Sequence, residues 1–310
     1  MRDAFIEELT ILAKADPSIM LLTGDLGFGV LTNFAAQYPD QFINVGVAEQ
    51  NMAGLAAGLA LEGHKVYTYS IANFTTLRCL EQIRNDICYH EADVTSVSVG
   101  AGFSYGQLGV SHFATEDLAI LRALPNMMVV APSDPWEAKI LTRQMASISG
   151  PKYLRIDKGS AGSAENVVDV RLGKGRVVRE GLDVTIVSIG GILAEALTAS
   201  EILAKLGVDA RVITMNSLKP FDDTIIFEAC QGTGGLIAIE EHVEIGGLAG
   251  SISEACLTAG IIPKFFHRVG LQDEYPSIVG DQSYLRKAYN LNADKIVSIA
   301  LSALNLESST

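Results

Sequence analysis

The sequence predicts an α/β protein with two consecutive domains, each built on a mostly parallel β-sheet flanked by helices. Short apolar runs, which are typical of buried parallel strands, alternate along the chain with stretches that have helical spacing. The same order of strand, glycine turn and helix starts again near residue 181, and 310 residues suffice for two cores. We expect domains at 1–158 and 181–310, joined by a linker at 159–180 that is rich in small and charged residues.

The elements of the first predicted domain follow in order. Residues 2–14 place apolar side chains on one helical face, and Pro17 ends that helix. The apolar run 19–22 predicts a buried strand that leads into a glycine-punctuated loop. A short strand at 42–45 precedes a helix built largely of Ala and Gly. The remaining patterns predict a strand ending near Phe74, a helix at 76–90, a β-rich run from Val94, a glycine-rich loop, a helix and a further strand.

The second predicted domain consists of three units in which a strand leads through a turn into a helix. DVTIVSIGG precedes ILAEALTASEILAKLG, DARVITMNSLKPFD precedes another helix, and GLIAIEEHVEIGG precedes LAGSISEACLTAG. The glycine turns are too common a pattern to indicate a nucleotide site.

Composition argues against several classes of partner. The net charge of −13, without a basic run to offset it locally, argues against binding to nucleic acid or to anionic membranes. No apolar run is long enough to cross a bilayer, and the acidic N-terminal stretch is unlike a signal peptide. The four cysteines are far apart and form no CxxC pair, so we expect reduced thiols in a cytoplasmic protein.

Glu49 stands where the strand at 42–45 gives way to the helix of Ala and Gly. A Glu in a first helical turn complements the helix dipole, and this structural role could account for it. The small side chains that follow, however, indicate a surface on which another backbone packs closely. A carboxyl group in such an interface would lose water and its pKa would rise. It could then hold a proton near neutral pH, as a general acid must.

Two strings resemble motifs of one enzyme family. GVAEQNMAGLAAGLALEG, at 46–63, resembles the signature of thiamine-diphosphate enzymes of the transketolase group, and GVSHFATEDLAILRALPNMMVVAPSDP, at 109–135, resembles a second transketolase motif. The resemblance implies a pyrimidine-binding domain followed by a transketolase C-terminal-like domain. It also implies that Glu49 hydrogen-bonds a pyrimidine ring nitrogen of thiamine diphosphate and favours the cofactor's imino tautomer.

The resemblance implies further cofactor contacts near Glu49. Asp25, in the string TGDLG, would support the pyrimidine site, and Phe74, with Tyr69 behind it, would stack on the pyrimidine ring. Structural alternatives remain for all three residues. Asp25 suits a turn in which it bonds its own backbone, and both aromatic residues suit a core.

Three residues are implied substrate contacts. His112 would contact the reacting oxygens of the donor sugar, because an imidazole on a glycine-rich loop can donate to a developing alkoxide or shuttle a proton. Arg2 and Arg155 match family arginines that hold substrate phosphate. The alternatives are a solvated terminal charge for Arg2, and for Arg155 an ion pair with Asp157 or a neighbouring acid.

The sequence also departs from the family pattern. Gly29 stands in place of a family Ser, and the loop VGAGFSYG lacks a His, so two usual contacts to substrate phosphate are missing. The GDG motif followed by Asn, which binds the cofactor's diphosphate through Mg²⁺, is not found, and we expect no metal ligands in this chain. The chain resembles only the C-terminal half of a transketolase. We therefore expect an N-terminal subunit that supplies the diphosphate and Mg²⁺ site, with the two subunits in a heterotetramer.

The functional hypothesis is the C-terminal subunit of a split transketolase-like enzyme. It would use thiamine diphosphate to transfer a two-carbon ketol unit from a ketose or ketose phosphate to an aldose. The alternatives are a β-type subunit of a 2-oxo-acid dehydrogenase, an acyloin-forming enzyme like deoxyxylulose-phosphate synthase, and a scaffold protein without catalysis. The string EDLAILRALPNM favours transketolase over the dehydrogenase subunit, and the joint presence of Asp25, Glu49 and His112 argues against a scaffold.

Overall fold

The computed structural model describes residues 1–165 and 170–306, and within them it contains two β-sheets. The first sheet has seven strands, which are β1 (Ile19–Thr23), β2 (Phe42–Asn44), β3 (Lys65–Ile71), β4 (Val94–Val99), β5 (Met128–Val130), β6 (Lys152–Ile156) and β10 (Ser217–Lys219). Their order across the sheet is β10–β5–β6–β4–β3–β1–β2. Every pairing among β1 to β6 is parallel, which confirms the predicted fold class for this half.

Helices flank the first sheet. They are α1 (Arg2–Ala15), α2 (Thr32–Gln37), α3 (Glu49–Leu61), α4 (Ala72–Thr76), α5 (Leu80–Gln82), α6 (Asp117–Ala123) and α7 (Pro135–Met145), with short 3₁₀ turns at Pro39–Gln41, Leu77–Cys79, Gly106–Leu108 and Val110–His112. The single helix predicted at 76–90 is wrong in detail. The chain there passes from α4 through a 3₁₀ turn and α5 into a π-helix at Ile83–Cys88, an irregularity that is frequent beside functional sites.

The second sheet has five strands, which are β7 (Arg176–Arg179), β8 (Val184–Ile189), β9 (Ala210–Met215), β11 (Leu236–Val243) and β12 (Phe266–Leu271). Their order is β12–β11–β8–β9–β7. The helices are α8 (Leu193–Lys205), α9 (Asp223–Gly232), α10 (Leu248–Ala259), α11 (Gln282–Ala288) and α12 (Ala293–Ala303), with a 3₁₀ turn at Gly190–Ile192. All pairings are parallel except that of β7 with β9.

The two halves of the chain are joined by more than the linker. Strand β10 comes from the second half but pairs antiparallel with β5, where it covers an edge of the first sheet. Strand β7 lies inside the predicted linker, and residues 166–169 of that linker are outside the described residues. The two halves also share core clusters, since Met215 and Leu218 pack with residues of the first half. The domain boundaries at 158 and 181 therefore stay a prediction.

The parallel strands bring five loops to one edge of the first sheet. Strands β6, β4, β3, β1 and β2 are consecutive neighbours, so their carboxyl ends lie side by side. The segments that follow these strands are residues 157–159, 100–112, 72–78, 24–30 and 45–49, and the third of them contains α4. Helix α1 connects to β1 through a short turn and runs back alongside it, which brings Arg2 to the same edge. Among the described helices, none is long and apolar enough to span a membrane.

Asp16 in the turn between α1 and β1 offers a test of this packing. Ser18 donates to Asp16 Oδ1 from its hydroxyl at 2.6 Å and its N–H at 3.0 Å, and Lys65 Nζ lies 3.0 Å from Oδ2. These contacts, the Ser18 hydroxyl first, lower the pKa of Asp16 to about 2. A lowered carboxyl pKa stabilises the fold above the unfolded value near 4, and this stability is lost as the pH falls towards 2.

We expect Asp16→Asn to lower the free energy of unfolding by about 1 kcal/mol at pH 7, a value discounted because a third of the side chain is exposed. The loss should shrink at pH 3. Urea unfolding at both pH values measures it, with the exposed Asp40→Asn as the matched control. An equal loss at pH 7 and pH 3 would contradict this electrostatic account.

Candidate active site

Glu49 is the first residue of α3 and its side chain is buried, with 1% exposed. Ser70, at the end of β3, donates its hydroxyl to Glu49 Oε1 at 3.1 Å, and Arg78 Nη1 lies 2.6 Å from Oε2. A Cβ added at Gly24 would stand 3.2 Å from Glu49 Oε1, so the β1 loop approaches the carboxylate closely because it has no side chain there. The carboxylate thus sits at the carboxyl edge of the sheet with both oxygens bonded.

Arg78 connects Glu49 to the aromatic residue Phe74. Its guanidinium carbon lies 4.5 Å from the centre of the Phe74 ring, and 43% of its side chain is exposed. A planar, nitrogen-bearing cation therefore bonds the Glu49 carboxylate and stacks on an aromatic face at the same time. The sequence motifs do not indicate Arg78. Its position four residues after Phe74 in a helical stretch is the signal that could have found it.

His112 lies beside Phe74, on the loop that follows β4. The two ring centres are 5.1 Å apart in an edge-on arrangement, and the centre of the Tyr105 ring lies 6.3 Å from that of His112. The Ser111 hydroxyl and His112 Nδ1 are 2.9 Å apart, and Nε2 has no hydrogen bond to a described residue. Partial burial lowers the pKa of His112, which favours the neutral imidazole at pH 7. A neutral imidazole can accept or donate one proton at Nε2.

The contacts described so far form a row of side chains, and Lys158 extends this row. In order, its members are Glu49, Arg78, Phe74, His112 and Tyr105. Its ammonium lies 3.5 Å from the centre of the Tyr105 ring. Desolvation first, and then the charge of Arg2, lower the pKa of Lys158. Arg2 is paired only with its neighbour Asp3, at 2.9 Å, and Lys158 has no ion pair among the described residues. An anion placed between Arg2 and Lys158 would relieve their repulsion.

Asp25 directly follows Gly24 in the loop after β1, at the same edge of the sheet. It is exposed and has a left-handed backbone, with φ at +56°. Its N–H donates to Asn44 Oδ1 and its carboxylate accepts from Asn44 Nδ2, each at 3.0 Å. These bonds tie the β1 loop to the end of β2. The geometry is that of a turn residue, and the cofactor role of Asp25 stays a prediction.

Two residues assigned from the resemblance lie in the core. Tyr69 is 2% exposed and stacks on Phe5 with ring centres 6.5 Å apart, so it has no open face for a ligand. Arg155 is similarly buried, and its Nε lies 2.8 Å from Asp117 Oδ2. The structure therefore supports the core alternative for Tyr69, and for Arg155 an ion pair with a neighbouring acid, which is Asp117 rather than Asp157.

The accessible cation at the end of β6 is Lys158, three residues after Arg155. Arg155 Nη2 donates to the carbonyls of Ala114 and Glu241, at 2.8 and 2.9 Å. Lys158 lies beyond the last strand residue and is exposed. Its place after a strand that ends at the functional edge is the signal by which the sequence could have indicated it. In residues 1–165 and 170–306, no group of three or more His, Cys, Asp or Glu is arranged to hold a metal ion.

Two family models match the chain. The model of the transketolase pyrimidine-binding domain matches residues 1–163, and that of the transketolase C-terminal domain matches residues 173–296. Among curated relatives, a putative transketolase C-terminal section of Methanocaldococcus jannaschii is 35% identical, over 99% of this chain and 97% of that protein. An apulose-4-phosphate transketolase subunit of Phocaeicola vulgatus is 34% identical, over 97% of this chain and 96% of that subunit.

Enzymes with a longer chain also match. A 1-deoxy-D-xylulose-5-phosphate synthase of Desulforudis audaxviator is 32% identical over 96% of this chain, which spans 47% of that enzyme. Among solved structures, a split gene transketolase in an inactive β4 tetramer superposes with a TM-score of 0.89 at 36% identity, over 99% of both chains. A transketolase from Leishmania mexicana, at 22% identity and a TM-score of 0.80, shares the fold over 46% of its chain. The chain belongs to the transketolase family, in which it corresponds to the pyrimidine-binding and C-terminal domains.

Proposed function

We propose that the chain is the C-terminal subunit of a split transketolase, which transfers a two-carbon ketol unit from a ketose to an aldose in the cytoplasm. The observation that carries this proposal is the buried Glu49 carboxylate at the sheet edge, in line with Phe74 and His112. Relatives described as transketolase subunits of the same length support the split arrangement.

The residues around Glu49 fit the pyrimidine half of thiamine diphosphate. Arg78 occupies the two contacts that an aminopyrimidine needs, a carboxylate for a ring nitrogen and an aromatic face for the ring. The guanidinium is itself flat and rich in N–H groups, so it is a close chemical stand-in for that ring. When bound, the cofactor supplies a nucleophilic carbon for the exchange of carbon–carbon bonds.

Arg78 blocks the oxygen of Glu49 that a ring nitrogen would need. Its Nη1 bonds Oε2 at 2.6 Å, so a ring nitrogen can reach that oxygen only after the guanidinium has moved away. The Arg78 side chain is exposed enough to swing out, whereas Ser70 is buried and continues to orient Oε1. Binding of a pyrimidine would thus displace Arg78 and leave Glu49 in a drier and less charged surrounding.

The other end of the row suits an anionic sugar. His112 Nε2 is positioned to exchange a proton with a sugar oxygen, and Arg2 and Lys158 provide two positive charges further along. These two cations would replace the two family contacts to substrate phosphate that the sequence lacks. We therefore propose a phosphorylated or otherwise anionic ketose as donor, bound with its anion between Arg2 and Lys158.

A partner chain would supply the diphosphate and Mg²⁺ site, in a heterotetramer. The outer face of α3 supports a close interface, because a Cβ added at Gly54 or at Gly58 would meet nothing within 4 Å. Leu55 and Leu61 are exposed on the same helix. Such a flat face of Gly and Leu lets another backbone approach closely and buries apolar area.

An affinity purification of the chain from its native cells tests the proposal. We expect a stoichiometric second chain, bound thiamine diphosphate, and ketol transfer by the pair but not by this chain alone. Decarboxylation of 2-oxo acids without ketol transfer would favour the dehydrogenase or the acyloin-forming alternative instead. Recovery of this chain alone, without cofactor, would support the scaffold alternative.

Lys158→Met tests the anion site. We expect the KM for a phosphorylated ketose to rise about tenfold or more with a smaller change in kcat, because a charge-assisted contact of about 1.5–3 kcal/mol is lost. The KM for the same sugar without its phosphate should not change. Lys295→Met, on the exposed surface of α12, is the matched control. Equal effects on both sugars would contradict the assignment.

A further inference from the structure

The loop that carries His112 belongs to the first half of the chain but packs against the second half. It begins after β4 and is closed at its base by pairing of Gly102 with Ala114. Phe103 and Phe113 stand at its two ends, fully buried, with ring centres 5.1 Å apart. Both belong to the core cluster formed by the helices and strands of the second half. The position of His112, next to Phe113, therefore depends on that core.

A buried carboxylate of β11 holds the loop directly. Glu241 is 3% exposed, and its Oε1 accepts the Phe103 N–H at 2.5 Å. Gly102 has a φ of +51°, and a Cβ there would collide with Glu241 Oε1. The loop can take this path only because residue 102 is a glycine, which permits both the backbone conformation and the approach of the carboxylate.

Residues of α11 hold Glu241 in turn. Arg286 Nε donates to Glu241 Oε2, and Gln282 Nε2 donates to Glu241 Oε1 at 2.9 Å. Arg286 also lies 3.7 Å from Asp157, which accepts from the Ser104 hydroxyl at 2.7 Å. Arg286 thus lies between two carboxylates, those of Glu241 and Asp157. Glu241 bonds Phe103 of the loop, and Asp157 bonds the adjacent Ser104.

The segment before α11 makes a separate contact with the loop. The Gly280 N–H donates to the Gly106 carbonyl at 3.2 Å, and a Cβ added at Gly106 would collide with the Gly280 carbonyl oxygen. The second half of the chain therefore holds the loop directly at Phe103 and at Gly106, and it reaches Ser104 only through the contact of Arg286 with Asp157. We therefore expect these buried ionic contacts to hold the loop in one conformation.

We propose that Glu241, held by Arg286 and Gln282, is a positioning residue that fixes the 103–112 loop and so places the His112 ring against Phe74. The catalytic meaning of this placement rests on the proposed function, whereas the placement itself does not. The structural role of the second half of the chain is then to fix the conformation of the 103–112 loop.

Glu241→Gln tests this in the free, full-length chain. Gln keeps the shape of the side chain but places an amide, with donors of its own, against the donors of Arg286 and Gln282. We expect amide hydrogen exchange of residues 103–112 to accelerate about tenfold or more, while β8 keeps its protection. The pKa of His112, read from its ring proton by NMR, should rise towards its ordinary value as the loop opens to water.

Glu240→Gln is the matched control. Glu240 is the preceding residue, is similarly buried, and accepts the N–H groups of Leu248 and Ala249 at 2.7 and 2.9 Å at the start of α10. This variant should lower Tm and leave loop exchange and the His112 titration unchanged. If Glu241→Gln does not fold, Gln282→Ala, which removes only one neutral donor, should give the same changes at smaller size.

Two results would overturn the proposal. One is unchanged loop exchange in both Glu241→Gln and Gln282→Ala, and the other is loop exchange in Glu240→Gln that accelerates as much as in Glu241→Gln. Neither measurement needs cofactor, partner or turnover, so a failure of the proposed function would leave the result intact. In the assembled enzyme, Glu241→Gln should lower kcat, because the His112 ring is no longer held against Phe74.

Discussion

Glu49→Gln should lower ketol transfer by the assembled enzyme about 10³-fold, the usual scale for removing a general acid or base. The substitution keeps the size of the side chain, and Gln can still accept the Ser70 hydroxyl at Oε1. What it loses is the ability to hold and release a proton against a ring nitrogen. A steady-state assay of kcat with the partner chain and thiamine diphosphate measures the effect.

The controls for this variant separate chemistry from assembly. Glu62→Gln changes an exposed glutamate just after the same helix and should keep full activity. Calorimetric titration with thiamine diphosphate reports whether cofactor still binds to the assembled Glu49→Gln variant. Near-normal turnover in Glu49→Gln would refute the assignment of Glu49, and loss of assembly would assign it to the interface instead.

Arg155→Met should cost about 3–5 kcal/mol of the free energy of unfolding, because it leaves a buried carboxylate without its cation. The side chains of Arg155 and Asp117 are each only 2% exposed, and Asp117 Oδ1 already lacks a hydrogen bond among the described residues. Arg155 also bonds carbonyls of two different segments, so its loss loosens the contact between the halves of the chain. Urea unfolding at pH 7 measures the change.

Two further variants test whether the effect of Arg155→Met comes from the buried ion pair. Arg268→Met breaks an exposed ion pair with Glu244, 3.2 Å long, and should cost less than about 1 kcal/mol. The double variant Arg155→Met with Asp117→Leu removes both charges and should recover much of the stability. If Arg155→Met unfolds like the parent chain but raises the KM for a sugar phosphate, the substrate role implied by the resemblance would be restored.

Much of the fold could be predicted because the responsible signals are local. The apolar run of β1, the β-rich run of β4 and the alternation of strand and helix identify a parallel sheet without knowledge of any contact. The position of Glu49 at the start of α3 follows from the change from strand to small helical residues. In contrast, β10 leaves its own half to pair with β5, and nothing in the three residues of β10 indicates that partner.

The candidate site could likewise be predicted from the sequence only in part. Glu49, Phe74 and His112 were identified from motifs, and the structure brings them into one row in which Arg78 joins Glu49 to Phe74. Tyr105 continues this row from His112 to Lys158, and the motifs indicated neither Arg78 nor Tyr105. The contacts that join them link residues far apart in the chain. A hydrogen bond between Arg78 and Glu49 spans 29 positions, and the one between Phe103 and Glu241 spans 138.

By itself, the sequence determined the order of the elements, the loops at the carboxyl edge and the residue types available there. Only the tertiary structure decided which of two cations near the end of β6 is accessible. Arg155 and Lys158 are three residues apart and both could hold an anion, but Asp117 lies where it neutralises Arg155 in the core. Lys158, beyond the strand, is exposed beside Tyr105. Burial and a distant partner, rather than residue type, determine which charge can meet a ligand.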